Sequence, residues 1–152
     1  MATLHFNQTT TSTPAEFVAA LTDFGPDRSE LFGNSSAEYL KLHDAGPDWA
    51  DVTEGSGGIW ERLSYDWSDP ERVVMRTTDS NVWGGASGHT YTLTPREDGT
   101  TDIDAVVIRE GKNLKGRLLG FVLGTVGKQK LAKAFGETVK AIEARNTATV
   151  AA

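Results

Sequence analysis

The chain has 152 residues, 38% of them hydrophobic, enough for one domain with a sizeable core. It contains no cysteine, which excludes disulfides, thiol catalysis and thiolate metal sites. Its net charge of −6 argues against nucleic acid as a partner.

In chain order, residues 4–10 alternate and are rich in threonine, which predicts a first strand. Thr13-Pro14-Ala15-Glu16 is a helix start: Thr13 is placed to cap, Pro14 suits the first helical position, and Glu16 completes a capping box. That helix should run to about Phe24, where Gly25-Pro26 stops it, and a short second helix over 27–32 should end at Gly33. From there to Arg109 the punctuation is that of an antiparallel meander, with strands over 37–43, 49–54, 59–67, 72–79, 87–95 and 101–109. One long helix over 112–145 follows, and 146–152 should be a frayed tail. The N-terminus lacks the basic and apolar segments of a signal peptide, and the longest apolar stretch, 118–126, is too short to span a bilayer. A cytoplasmic, soluble protein with no transmembrane segment is therefore expected.

Alternation assigns an inner face to four strands. Ile103, Ala105, Val107 and Arg109 point inward from the last, opposite outward Asp102 and Asp104. His89, Tyr91 and Leu93 point inward from the strand before it. Val73, Met75, Thr77 and Asp79 form the next row, and Glu61, Leu63, Tyr65 and Trp67 the fourth. Turn lengths then predict the register: 67 with 73 and 61 with 79, 79 with 87 and 75 with 91, 93 with 103 and 89 with 107. The inner residues fall into layers, from an apolar base (Trp67, Val73, Leu93, Ile103) to a polar top (Glu61, Asp79, Ser87, Arg109). Such a gradient suits an amphipathic ligand. It is equally the pattern of a solvated sheet edge, with Arg109 paired to Asp79 or Glu61.

The long helix carries Gly116, Gly120, Gly124 and Gly127 in its first half. Each interior glycine costs about 0.5–1 kcal/mol relative to alanine, so close approach, a bend or empty volume must account for them. Leu131, Phe135, Val139 and Ile142 cluster on one side and should face the core. Projecting that side back brings the glycines to it and leaves Leu118, Leu119, Val122, Leu123 and Val126 mostly elsewhere. Either the helix bends near 124–127, or glycines face the interior and apolar side chains lie exposed. Residues 1–110 hold 7 basic and 19 acidic residues, a net of −12, whereas 111–152 hold 8 and 2, a net of +6. A basic helix against an acidic sheet explains this, as does a basic helix that meets an anionic membrane or substrate.

Glu54-Gly55-Ser56-Gly57-Gly58 lacks the lysine and the helix that follow a phosphate loop, and reads as a strand connection. His5, His43 and His89 show no metal-ligand spacing, so no metal and no cofactor is expected. No Ser-His-Asp set can be assembled.

The segments WADVTEGSGG (49–58), WERLSYDWSD (60–69), VMRTTDSNVW (74–83) and REGKNLKGRLLG (109–120) resemble the START-like superfamily, also called SRPBCC, and within it the polyketide cyclase/dehydrase-like proteins. The resemblance covers nearly the whole chain as one domain, 1–145. It implies an α+β helix-grip fold: a curved seven-stranded antiparallel sheet wrapped around the C-terminal helix, with two short helices after the first strand. It further implies a hydrophobic cavity between sheet and helix, entered near 55–58, 80–86 and 110–113. Members include lipid carriers, hormone and polyketide binders, aromatase/cyclases and chaperone activators, so the resemblance specifies fold better than activity.

Three functions follow as expectations, the third being a partner-docking module that uses the basic face of the long helix. The first is binding or transport of a lipid, fatty acid or polyketide-like molecule. The inner residues named above would line its site together with Gly120, Phe121 and Gly124, with Arg109, His89 and Tyr91 orienting the polar head. The second is a cyclase/dehydratase in which His89 or Asp79 acts as base, Tyr91 as acid, and Arg109 stabilises an enolate. Lys112, Lys115 and Arg117 are candidates for transient membrane contact, and a monomer or weak homodimer is expected.

Overall fold

Seven strands pair into one antiparallel sheet in the order β1-β7-β6-β5-β4-β3-β2. They are β1 (Ala2–Thr10), β2 (Lys41–Ala45), β3 (Trp49–Ser56), β4 (Ile59–Asp66), β5 (Arg72–Ser80), β6 (Gly88–Pro95) and β7 (Thr101–Arg109). In this computed structural model the described residues are 1–151, with side chains described for 1–148. Two short helices, α1 (Pro14–Leu21) and α2 (Arg28–Leu31), follow β1. The C-terminal helix comprises α3 (Leu114–Val122), one π-helical turn over Leu123–Gly127, and α4 (Lys128–Ala151). This is the α+β helix-grip architecture. The expected tail, 146–152, ends outside the described residues.

The local signals act as read. The Thr13 hydroxyl accepts from the Glu16 amide at 3.1 Å and the Glu16 carboxylate accepts from the Thr13 amide at 2.9 Å, closing the capping box. Gly99 takes a φ of +88° in the turn between β6 and β7, which side-chain-bearing residues rarely adopt. That turn sets the expected register, Leu93 with Ile103 and His89 with Val107.

Four expectations are corrected. A bulge in β4 between Arg62 and Leu63 pairs Arg62 with Asp79 and Glu61 with Ser80, so Asp79 leaves the inner face. Asp79 is exposed, 3.7 Å from the Lys112 ammonium, and Ser80 is buried in its place. The β5–β6 register is displaced by two residues, so Met75 pairs with His89 and Val73 with Tyr91. The 80–86 loop is not a free hairpin. It bridges to the start of the C-terminal helix, with Trp83 paired to Gly111 and the Gly84 amide donating to the Glu110 carbonyl at 2.8 Å. The second strand, expected over 37–43, begins only at Lys41 because 36–39 turn, the Tyr39 amide donating to the Ser36 carbonyl.

The core lies on the concave face of the sheet. Leu63, Tyr65, Val73, Leu93 and Ile103 pack there against Phe17 and Leu21 of α1 and Val139 and Ile142 of α4. A second cluster holds Leu4, Phe6, Ala105 and Val107, closed by Leu131 and Phe135. The expected core side of the long helix is thus the observed one.

The glycine stripe has separate causes at separate positions. A Cβ on Gly116 would lie closer than 3.0 Å to the Val82 carbonyl oxygen, so α3 rests directly on the backbone of the 80–86 loop. At Gly120 the nearest atoms would be at 3.7 Å, an ordinary contact. Gly124 and Gly127 lie in the π turn, where the helix gains a residue. Gly116→Ala is therefore expected to lower the melting temperature. Gly120→Ala should hold or raise it, because alanine recovers about 0.5–1 kcal/mol of helix preference. Paired thermal melts check this, and equal losses in both would contradict the close approach.

Candidate functional site

Between the sheet and the C-terminal helix lies an open cleft of about 610 Å³. Its floor is Tyr91, Ala105 and Val107 on the sheet, with Phe6 and Phe17 beside them. Its helical wall is Leu123, Leu131, Ala134 and Phe135, and residues 29–34 after α1 form the rim. Aromatic rings line much of the interior: Tyr91 lies 6.0 Å from Phe17 and 6.1 Å from Phe135, and Phe6 lies 6.3 Å from Phe135. A smaller hollow of about 190 Å³ adjoins it, sharing Phe32, Trp83, His89, Tyr91 and Arg109.

Two buried guanidinium–carboxylate groups form the polar end. In the first, Arg109 donates to both oxygens of Glu61 at 2.9 and 3.0 Å and lies 5.2 Å from the centre of the Trp83 ring. The Thr77 hydroxyl donates to the same carboxylate at 2.9 Å. Burial pushes the Glu61 carboxyl up, but the Arg109 guanidinium beside it outweighs burial and holds Glu61 well below the usual carboxylate range. A second Arg109 interaction runs to His89 Nε2 at 2.7 Å. A guanidinium carries only donors, so in this hydrogen bond Nε2 accepts and Nδ1 carries the ring proton. Nδ1 is the one buried side-chain polar atom among the described residues without a partner. An unsatisfied buried group of this kind costs about 1–3 kcal/mol.

In the second group, Arg28 donates to Glu54 at 2.5 Å, to the Tyr65 hydroxyl at 3.0 Å, and to the carbonyls of Leu21 and Asp23 at 2.8 and 2.9 Å. Its guanidinium is sandwiched 4.7 Å from the Phe24 ring and 4.5 Å from the Phe32 ring. Glu54 also accepts from Ser35 at 2.9 Å and from the Tyr65 hydroxyl. Burial raises the Tyr65 phenol well above its ordinary value and pushes Tyr91 up to about 12, so both hydroxyls remain protonated. Among the described residues, nothing hydrogen-bonds the Tyr91 hydroxyl.

The residues expected to share a site divide as follows. His89, Tyr91, Ala105, Val107 and Arg109 line the large cleft, and Glu61, Leu63, Tyr65 and Met75 line the adjoining hollow. Thr77 stands behind Glu61. Trp67 and Leu93 pack in the apolar core. Gly120 is buried beside Trp83 and the Arg109 carbonyl. Phe121, 70% exposed, faces outward, because the contact of Gly116 with the 80–86 loop turns the opposite face of α3 to solvent, and Gly124 lies against Ala2 of β1, outside the cleft lining. Asp79 is on the outer face of the sheet. Arg28, Glu54, Phe32 and Trp83 were missed. The alternation of buried Ala50, Val52 and Glu54 along β3 would have placed Glu54 inside; nothing local marks Arg28. Among the described residues there is no cluster able to hold a metal, and no helix is long and apolar enough to cross a membrane.

The linked charges give a pH dependence. A carboxylate held below its ordinary value stabilises the fold fully above that value, and the contribution drains away as pH falls toward the lowered one. Glu61 starts from 4.5, so its share of stability should be lost progressively below that pH, with Asp23 and Asp51 acting in the same direction. Glu61→Gln should be less stable at neutral pH and show a flatter acid limb in melting temperature against pH. Parallel acid limbs would contradict this.

No protein-family model matches the chain, and no curated protein matches it by sequence. Solved structures do match in shape. A protein from Thermus thermophilus aligns with a TM-score of 0.71 at 10% identity, covering 94% of this chain and 98% of that one. A START superfamily protein from Mycobacterium smegmatis aligns with a TM-score of 0.68 at 10% identity, covering 95% and 97%. The Zhui aromatase/cyclase from Streptomyces sp. R1128 aligns with a TM-score of 0.67 at 12% identity, covering 94% of each. The chain has the START-like, helix-grip fold.

Proposed function

We propose that the protein binds a hydrophobic small molecule with an uncharged polar head in the cleft between sheet and C-terminal helix. The observation that carries this is a cleft of about 610 Å³ with an aromatic and aliphatic interior and a polar end whose charges are already matched. Arg28 is neutralised by Glu54 and Arg109 by Glu61, both at salt-bridge distance, and the remaining charged residues lining the cleft are Glu30 and Glu137. An anionic head would find no unpaired cation there and two carboxylates near it. A ketone, ester or amide oxygen would instead find proton donors at Tyr91 and on the His89 ring. Of the lipid, fatty-acid and polyketide-like classes, the charge balance disfavours a free fatty-acid carboxylate.

Catalysis is the second reading, because one of the fold neighbours is named an aromatase/cyclase. The geometry supports binding better. Asp79 is outside the cleft, the His89 Nε2 lone pair is taken by Arg109, and both Glu61 oxygens accept from Arg109. No candidate base is left free, and the spare protons are those of the Tyr91 hydroxyl and His89 Nδ1.

Titration with prodan, an uncharged naphthyl ketone fluorophore, tests the reading. Saturable one-to-one binding is expected, at least about ten-fold tighter than that of the corresponding dimethylaminonaphthoate, because burying an unpaired charge is costly. Equal or tighter binding of the carboxylate would overturn the charge argument. No binding of either would overturn the assignment of the cleft.

A further inference from the structure

The first half of the C-terminal helix is inverted with respect to a normal amphipathic helix. Its glycines face the protein and its large apolar side chains face water. Leu114 is 84% exposed, Leu118 63%, Phe121 70% and Val126 75%, with Val122 partly exposed between them. Leu114, Leu118, Phe121 and Val122 stand at i, i+4, i+7 and i+8, so they form one stripe. Val126 in the π turn and Lys130 and Lys133 beyond it continue the helical spacing, and Lys115 and Arg117 flank the stripe. Among the described residues, none of Lys115, Arg117, Lys130 and Lys133 lies within ion-pair distance of a carboxylate. Exposed leucine and phenylalanine in a continuous row is unfavourable in water and marks a surface meant to be covered.

We infer that this helix face docks on an anionic lipid surface. A second copy of the chain fits poorly, since a two-fold contact through the stripe would gather Lys115, Arg117, Lys130 and Lys133 of both copies at one interface, and the only side-chain carboxylates of residues 111–152 are Glu137 and Glu143. The stripe is the convex side of a helix whose opposite side rests on the 80–86 loop, so it offers projecting side chains rather than a groove for a partner's side chain. Apolar residues that sink to the acyl boundary, with cations at the level of the headgroups, are the arrangement an interfacial helix needs. The charge is placed to match, with +6 on residues 111–152 and −12 on the rest. The acidic sheet would turn the molecule so that only the helix meets an anionic membrane. The π turn joins this surface to the cleft. Leu123 lines the cleft, while Val122 and Val126 on either side of it are exposed. A poorly water-soluble ligand could enter from the lipid without crossing water, but docking itself does not depend on that ligand.

The test uses the full chain and lipid vesicles alone. Co-sedimentation is measured with mixed phosphatidylcholine–phosphatidylglycerol vesicles and with pure phosphatidylcholine vesicles. Partition should be at least about ten-fold stronger on the anionic vesicles and should fall steeply at high salt. The double variant Leu118→Ser, Phe121→Ser should lose at least about ten-fold in partition, since it removes two apolar side chains that docking would bury in the lipid, while its melting temperature is unchanged. Lys115→Glu with Arg117→Glu should abolish the preference for anionic lipid. Absence of vesicle binding overturns the inference, as does binding indifferent to the serine double variant. A homodimer in solution that the serine variant dissolves overturns it in favour of a second copy.

Discussion

Replacing Arg28 by methionine is expected to lower the melting temperature by on the order of 10 °C, the largest effect of any single charge removal in this molecule. The side chains of Arg28 and Glu54 are 2% and 10% exposed. Removing one partner of such a pair strands the other in a low-dielectric interior, which costs about 3–5 kcal/mol. In a domain of this size each kcal/mol moves the melting temperature by roughly 2–4 °C. Methionine keeps much of the apolar length against Phe24 and Phe32, so the loss is electrostatic and hydrogen-bonding rather than cavity formation. The carbonyls of Leu21 and Asp23 lose their donor too, which frees the chain that follows α1. Arg62→Met is the control. Arg62 also meets a carboxylate in two hydrogen bonds, to Asp51 at 2.9 and 2.6 Å, but the side chains are 43% and 30% exposed. A surface pair contributes about 0–1 kcal/mol, so Arg62→Met should shift the melting temperature little. If both variants fell equally in a thermal melt, burial would not be what distinguishes the two pairs.

Arg28 also marks the boundary between what the sequence reveals and what only the folded chain reveals. The strands between β4 and β7 are legible because one face of an antiparallel sheet must be apolar, and alternation records which. The β6–β7 register is legible because Gly99 sits in a short turn that fixes the pairing. The Glu61–Arg109 pair was one of two pairings the inner-face assignment offered. The bulge at Arg62 then chose between them by expelling Asp79, and a bulge without a glycine or proline leaves no local signature. The β5–β6 displacement was hidden for a related reason. The 80–86 loop is held by Glu110 and Gly111, residues brought to it by folding, and not by its own turn chemistry. Arg28 lies furthest from view. Its guanidinium makes four hydrogen bonds, to Leu21, Asp23, Glu54 and Tyr65, residues that no periodicity links.

The long helix shows the same division. Its second half follows the ordinary rule, apolar side chains inward, and the rule finds Val139 and Ile142 correctly. In its first half the rule fails because packing there is decided by backbone approach. With Gly116 against the Val82 carbonyl, no large side chain can occupy that face, and the apolar residues take the other. Phe121, expected in the site, takes that exposed face with Leu114 and Leu118.

Ala105→Trp is the second large effect: the prodan signal should fall to that of buffer while the protein stays folded. Ala105 sits on β7, between Phe6 of β1 and Tyr91 of β6, and faces the floor of the cleft. A side chain on a central strand stands perpendicular to the sheet, so a tryptophan there cannot swing to solvent as it could from Ala134 on the helix. It must enter the cleft beside Tyr91 and Phe135. The melting temperature separates the two ways this can end. If the cleft is empty space awaiting a ligand, the indole fills it, gains contacts with the aromatic walls, and the melting temperature holds or rises. If that volume is closed by repacking in solution, the insertion overpacks a filled core and costs about 1–3 kcal/mol. Lost binding with retained stability would place the ligand against β7. Retained binding with retained stability would move the ligand away from the floor, toward the smaller hollow beside Arg28 and Glu54, and the matched charges there would become the determinant of what the protein holds.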